Sequence, residues 1–218
     1  MEVDSKLYRV EGEGTSLEQV KEFYERRYAS SGSIEEPSRM VRFFNQLTLI
    51  PKVISKVGKP KALDIGCGAR ASTEALRLLG CRAYGIDLSE VVISKQKKAY
   101  PLCTFWAGDV FKLPERGFDI IYSRALSIYN SPFQEGGALS EAKIWATKQI
   151  LKLGNPGGLL VLNFYTIAKD KPFWNEGKTS FYHTVEEVEQ LFSLFGQPLI
   201  RLYGKELLVQ IYMNCETK

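Results

Sequence analysis

Apolar residues keep a helical period through the first quarter of the chain, then fall into short unbroken runs separated by helical stretches. Leu17, Val20, Phe23, Tyr24 and Tyr28 recur at the three- and four-residue spacing of one helix face. Thr15-Ser16-Leu17-Glu18 ahead of them is a capping box with Thr15 as N-cap. Ser30 to Ser33, with Gly32, breaks the pattern. Pro37 opens a second helix carrying Met40, Val41, Phe44, Leu47 and Leu49, and Pro51 limits it or begins a short third.

From Ala62 the period changes. Ala62–Ile65 is short, apolar and followed by glycines, as a buried strand would be. Ala71–Leu79 is helical and stopped by Gly80. Cys81–Ile86 is a second strand, ending at Asp87, and Ser89 caps a helix running to about Tyr100, before Pro101. Thr104–Ala107 and Phe118–Ser123 are the third and fourth strands, Leu139–Leu153 a long helix, and Leu159–Tyr165 a fifth strand after Gly157-Gly158. Thr184-Val185-Glu186-Glu187 is another capping box and opens a helix to about Phe195. Leu199–Tyr203 and Leu207–Met213 flank Gly204-Lys205-Glu206, the pattern of a closing hairpin.

Strands alternating with helices predict an α/β fold. Its sheet is doubly wound, mostly parallel and covered on both faces, with an antiparallel C-terminal hairpin. The helices of residues 1–58 read as an N-terminal cap on a core of residues 59–218, in one compact unit. In such sheets ligands bind at the carboxyl ends of the strands, near the point where strand order reverses.

Composition narrows the function classes. There is no apolar run long enough for a membrane-spanning helix, and Met1 to Val10 lacks the apolar core of a secretory signal. The net charge of +4 is small and dispersed, and the densest basic stretch, Lys95-Gln96-Lys97-Lys98, lies on a helix, where it reads as a solvated face. No nucleic-acid partner is expected. Cys67, Cys81, Cys103 and Cys215 form no C-x-x-C pair and read as reduced thiols of a cytoplasmic protein. With His183 as the single histidine, no metal site is expected.

The candidate chemistry lies after the strands. Asp64-Ile65-Gly66-Cys67-Gly68 follows the first strand and precedes a helix, where glycine permits a sharp turn and close approach to a ligand. The helix start offers unpaired N–H groups to an anion. Asp87 ends the second strand, placed to accept both hydroxyls of a ribose. Asp109 follows the third, placed to accept from an exocyclic adenine amine. Any one of these is common, since turns use glycine and a strand-end Asp is often only a helix cap. All three in order point to an adenosine-bearing ligand.

These residues resemble the class I S-adenosylmethionine-dependent methyltransferases from about Lys61 to the C-terminus. The first motif is Leu63-Asp64-Ile65-Gly66-Cys67-Gly68, the second Gly85-Ile86-Asp87-Leu88-Ser89, and the third Gly108-Asp109-Val110. Phe118-Asp119-Ile120-Ile121-Tyr122-Ser123 is similar to the family's fourth strand and Gly157-Gly158-Leu159-Leu160-Val161 to its fifth. The resemblance implies a seven-stranded sheet whose last strand inserts antiparallel, S-adenosyl-L-methionine as cofactor, and methyl transfer. It implies cofactor-binding roles for Asp64, Gly66, Cys67, Gly68, Asp87, Leu88, Asp109, Val110, Ser123, Arg124 and Tyr28. The family's frequent third glycine is here Arg70, which is either solvated or able to meet the cofactor's methionine carboxylate.

Gly66-Cys67-Gly68-Ala69-Arg70-Ala71 also fits the dinucleotide pattern G-x-G-x-x-A, so an NAD-binding oxidoreductase is the rival. Asp64, the long N-terminal cap and the extra acidic strand end at Asp109 count against it. A non-catalytic S-adenosylmethionine binder is a further alternative. An aminopropyl transferase ranks below both, because Ser123-Arg124-Ala125-Leu126-Ser127 lacks the acids that hold a polyamine.

Asn130-Ser131-Pro132-Phe133 lacks the first proline of the nucleic-acid amino-methylating motif and reads as a turn, which leaves a small molecule, or else a protein side chain, as methyl acceptor. Tyr24 and Tyr28 share a helix face and either roof the pocket or pack the helix onto the core. The aromatic-rich Thr166–Tyr182 loop is another candidate pocket wall. His183 and Tyr129 are the candidate proton-handling groups, though His183 adjoins an N-cap. Arg124 either orients cofactor or substrate or pairs with an acid.

Overall fold

The computed structural model describes residues 17–30, 33–130, 141–165, 173–174, 181–203 and 206–213. Three helices come first: α1 (Leu17–Ser30), α2 (Ser38–Gln46) and α3 (Leu49–Val57). Then follow β1 (Lys61–Ile65), α4 (Ser72–Leu78), β2 (Arg82–Asp87), α5 (Glu90–Ala99), β3 (Thr104–Ala107), β4 (Phe118–Arg124) and the single-turn α6 (Ser127–Asn130). The chain closes with α7 (Glu141–Leu151), β5 (Gly154–Tyr165), β6 (Phe173–Trp174), β7 (Phe181–Tyr182), α8 (Val185–Ser193), β8 (Leu199–Tyr203) and β9 (Glu206–Tyr212).

The main sheet has seven strands in the order β3-β2-β1-β4-β5-β9-β8. β3, β2, β1, β4 and β5 run parallel, and β9 inserts antiparallel between β5 and β8. The predicted seven-stranded α/β sheet with an antiparallel closing hairpin is therefore the observed one. Strand order reverses at β1, which lies between β2 and β4.

The unbroken apolar runs are explained by burial on both faces. Leu63, Ile65, Ile121, Leu160 and Leu162 enter one core with Ala146 and Ile150 of α7 and Val188, Leu191 and Phe192 of α8. Their alternates Ala62, Ile120, Tyr122, Leu159 and Val161 enter the other, with Phe43 and Phe44 of α2, Val53 of α3 and Leu76 of α4. Phe44 meets Tyr122 edge-on with ring centroids 4.9 Å apart, so α2 is docked on the sheet by an aromatic contact worth about 1 kcal/mol beyond its buried area.

Capping followed the sequence. The Ser89 side chain accepts from the Val92 N–H, and Thr184 and Glu187 form both halves of a capping box. Pro51 lies within the first turn of α3, where its missing N–H costs nothing. The strand predicted at Leu159–Tyr165 begins earlier, at Gly154, and the paired β6 and β7 lie in a stretch read as loop. Of the sequence readings, Thr15, Ser131-Pro132-Phe133, Leu139, most of the Thr166–Tyr182 loop, Gly204-Lys205 and Cys215 lie outside the described residues. No helix among the described residues is long and apolar enough to cross a membrane.

Candidate functional site

A cleft of about 350 Å³ opens at the carboxyl ends of β1, β2 and β4, where the strand order reverses. Its size falls within the ~300–1,000 Å³ of small-ligand sites. One wall is the turn after β1, with Gly66, Gly68, Ala69 and Arg70, and another is Asp87-Leu88 after β2. Gly108 and Val110 contribute from the third loop, and Arg124 to Leu126 with Ile128 from the fourth. Tyr24, Arg27 and Tyr28 of α1 cover it.

The glycine turn is held from three sides. Gly66 and Gly68 have φ of +67° and +52°, which glycine adopts without the steric cost other residues meet. The Gly66 N–H donates to Ile86 O at 2.8 Å, and the Gly68 N–H donates to Asp87 Oδ2 at 3.0 Å. Gln96 Nε2, from α5, donates to the carbonyls of Gly68 and Arg70 at 2.7 and 2.6 Å. Gln96 is fully buried, and polarity in the middle of a helix is the signal that marks it. A Cβ on Gly68 would lie 2.7 Å from the Tyr28 hydroxyl, so α1 lies directly against the turn.

Asp87 ends β2 with its carboxylate on the cleft wall, accepting the N–H groups of Gly68 and Ser89, each at 3.0 Å. Burial is the main force raising its pKa, to about 6, against those two backbone donors. Burial also raises Asp64 to about 6, although the hydroxyls of Ser72 and Thr73 donate to its Oδ2 at 2.5 and 2.8 Å. Asp64 is 1% exposed and absent from the cleft wall. It serves the site from beneath, tying the first turn of α4 to β1, since α4 has no side-chain cap of its own.

The expected cofactor residues thus divide. Gly66, Gly68, Asp87, Leu88, Val110, Arg124 and Tyr28 line the cleft, whereas the side chains of Asp64, Cys67, Asp109 and Ser123 do not. The Cys67 thiol points into the core, where burial pushes its pKa well up. The Ser123 hydroxyl donates to Ile65 O at 2.7 Å, joining β4 to β1. Asp109 Oδ1 accepts from the Phe111 N–H at 2.9 Å and caps the turn that carries Val110 to the wall. Tyr24 and Tyr28 stack with centroids 5.9 Å apart, and both line the cleft.

The expected catalytic pair requires correction. His183 is 1% exposed, and its Nε2 lies 2.6 Å from the Tyr129 carbonyl oxygen. The Tyr129 hydroxyl is bonded to Thr147 Oγ1 at 2.9 Å in the core. Neither side chain reaches the cleft wall, because the turn into α8 directs the imidazole inward onto α6. The cleft wall contains no histidine among the described residues.

Arg124 is paired with an acid, but not a surface one. Its Nε donates to both oxygens of Glu206 on β9, at 3.0 and 2.9 Å, and its Nη2 donates to Oε1. Asn163 Nδ2 donates to the same carboxylate at 2.8 Å. Glu206 had no signal in the sequence, because its contact crosses 82 positions.

The fold recurs in solved structures of low sequence identity. Magnesium protoporphyrin IX methyltransferase (ChlM) from Synechocystis PCC 6803, with bound SAH, is 15% identical with a TM-score of 0.57, over 90% of this chain and 99% of that one. The PH0226 protein from Pyrococcus horikoshii OT3 is 17% identical with a TM-score of 0.58, over 87% and 98%. DhpI in complex with SAH is 13% identical with a TM-score of 0.58, over 98% of both chains. No curated protein matches the sequence. The methyltransferase-domain family matches residues 57–202, which span the glycine turn and both acidic strand ends, so the chain belongs to that family and carries the class I S-adenosylmethionine-dependent methyltransferase fold.

Proposed function

We propose that this methyltransferase uses S-adenosylmethionine held in the β1–β2–β4 cleft and methylates a small-molecule acceptor. The observation that carries the reading is the Asp87 carboxylate, largely buried at the strand-order reversal and facing a cleft roofed by Tyr24 and Tyr28. Asp87 would accept the ribose hydroxyls, and Leu88 and Val110 would bracket the adenine. The Gly66–Arg70 turn would take the methionine portion, with Arg70 against its carboxylate.

When bound, the cofactor supplies a methyl group on a positively charged sulfur, ready for displacement. The chain's own part is then to place and desolvate the acceptor, and orientation alone can contribute about 7–11 kcal/mol to such a step. The small acceptor is supported by the size of the cleft, about 350 Å³, which is that of a small-ligand site. ChlM and DhpI, of the same fold, also fit this reading. The dinucleotide alternative is disfavoured because the methyltransferase-domain family matches the chain over the glycine turn and both acidic strand ends.

Calorimetry with S-adenosylmethionine, S-adenosylhomocysteine and NAD tests the cofactor. Binding of the first two and not the third is expected, and heat with NAD alone would overturn the reading. Release of S-adenosylhomocysteine in the presence of a metabolite panel, and not with nucleic acid or protein, tests the acceptor class.

A further inference from the structure

At the β4 side of the cleft stands a charged group fixed by its surroundings, Arg124. Its partner Glu206 takes the Nε and Nη2 side of the guanidinium, and Asn163 Nδ2 holds that carboxylate from behind. Arg124 and Asn163 are register partners on β4 and β5, and the Ala125 N–H donates to Asn163 O at 2.8 Å. Three strands therefore converge on one arginine.

The Arg124 and Glu206 side chains are only 20% and 15% exposed. Burying an ion pair this far contributes little stability compared with apolar residues of similar size, so stability does not explain the arrangement. Orientation does. A guanidinium has five N–H donors on two usable edges. With the side edge engaged by Glu206, the end edge formed by Nη1 and Nη2 keeps parallel donors that no described residue accepts.

The neighbours give the rest of the pocket. Ala125 adopts φ +52°, a left-handed conformation that costs a non-glycine residue about 1–2 kcal/mol. That turn carries Leu126 over the glycine turn, its Cδ1 3.1 Å from where a Cβ on Gly66 would stand. Leu126 and Ile128 provide an apolar surface beside Arg124, and Tyr165 a ring on the same wall. Glu35 shares the wall but is exposed, where water and salt screen it.

We propose that Arg124, oriented by Glu206 and Asn163, binds the methyl acceptor, and that this acceptor is a small acid with an apolar body whose carboxylate docks on the Nη1–Nη2 edge. A carboxylate matches two parallel N–H donors as no neutral group does. The inference rests on the methyl-transfer reading of the cleft and assigns Arg124 to the acceptor rather than the cofactor.

The test uses the full chain saturated with S-adenosylhomocysteine. Benzoate, phenylacetate, indole-3-acetate and hexanoate, each beside its amide, are titrated by calorimetry and ligand-observed NMR. At least one acid binds tenfold or more tighter than its amide. R124Q abolishes the preference, E206Q weakens it several-fold, and S-adenosylhomocysteine affinity stays within twofold in both. R124K, which keeps the charge facing Glu206 but lacks the fork, is expected to lose most of the preference and carries the test if R124Q does not fold. Equal binding of acids and amides, no binding of any acid, or an acid preference surviving in R124Q overturns the proposal. So does a tenfold loss of S-adenosylhomocysteine affinity in R124Q, which would place Arg124 on the cofactor. Failure of the wild-type chain to bind S-adenosylhomocysteine sinks the methyl-transfer reading instead.

Discussion

Glu25 on α1 accepts the backbone N–H of Glu90, the first residue of α5, at 2.6 Å. The same carboxylate takes the Val91 N–H at 3.2 Å and the Ser89 hydroxyl at 3.1 Å, so one helix caps another. Lys21 pairs with Glu90 at 2.7 Å, and Lys95 Nζ donates to Tyr28 O at the same distance. These contacts hold α1 where Tyr24 and Tyr28 cover the cleft. E25A should cost about 1 kcal/mol, the usual value of a lost cap. It should also speed S-adenosylhomocysteine dissociation several-fold in stopped-flow measurements. An unchanged off-rate would separate the capping from the cover.

Gly68 is the tightest point of that cover. A Cβ there meets the Tyr28 hydroxyl at 2.7 Å, and the φ of +52° penalises any other residue. The Tyr28 end is flexible and can yield, whereas the backbone cost of about 1–2 kcal/mol remains. G68A should therefore weaken S-adenosylhomocysteine binding about tenfold, with G68A/Y28F recovering only part. Full recovery in the double variant would show that the clash, and not the backbone, dominates.

Asp87 makes cofactor affinity depend on pH. Burial raises its pKa from 3.8 to about 6 in the folded protein, with Glu25 contributing in the same direction. A raised carboxyl favours folding below about 3.8 and loses that contribution as pH rises through about 6. Ribose hydroxyls donating to the carboxylate favour its ionised form. Binding of S-adenosylhomocysteine should thus weaken as pH falls below about 6, by up to about tenfold per unit. Calorimetry between pH 5 and 8 should show this slope in the wild type and lose it in D87N. Asp64 is raised to about 6 as well but does not touch the cleft, so D64N should keep the slope.

The strand ends were legible because glycine, a terminal aspartate and an unbroken apolar run are all local signals. Gly66, Gly68, Asp87 and Leu88 line the cleft at those strand ends. Asp64, Cys67 and Ser123 do not, because whether a residue next to a turn faces cleft or core depends on which sheet face it occupies. Their alternation is visible only once β1 lies between β2 and β4. Glu206 and Glu25 were illegible for a different reason. Each acts on a residue more than 60 positions away, and an exposed-looking glutamate carries no mark of its partner.

His183 shows the same limit in the other direction, since a lone histidine beside an aromatic loop looks catalytic in sequence. Its Nε2 faces the Tyr129 carbonyl at 2.6 Å, so that nitrogen must carry the proton, and Nδ1 lies 3.8 Å from Glu187 Oε2. The ring also meets Phe164 edge-on, with centroids 5.7 Å apart. These are the contacts of a core residue joining α6 to α8. H183F keeps the ring packing but leaves the Tyr129 carbonyl without this donor, at a cost of about 1–3 kcal/mol. The midpoint of thermal unfolding should drop by about 2–4 °C per kcal/mol. S-adenosylhomocysteine affinity should stay within twofold, and the pH profile of methyl transfer should keep its shape. Loss of a limb of that profile in H183F, with affinity intact, would restore the histidine to a proton-transfer role and place it on the reaction path.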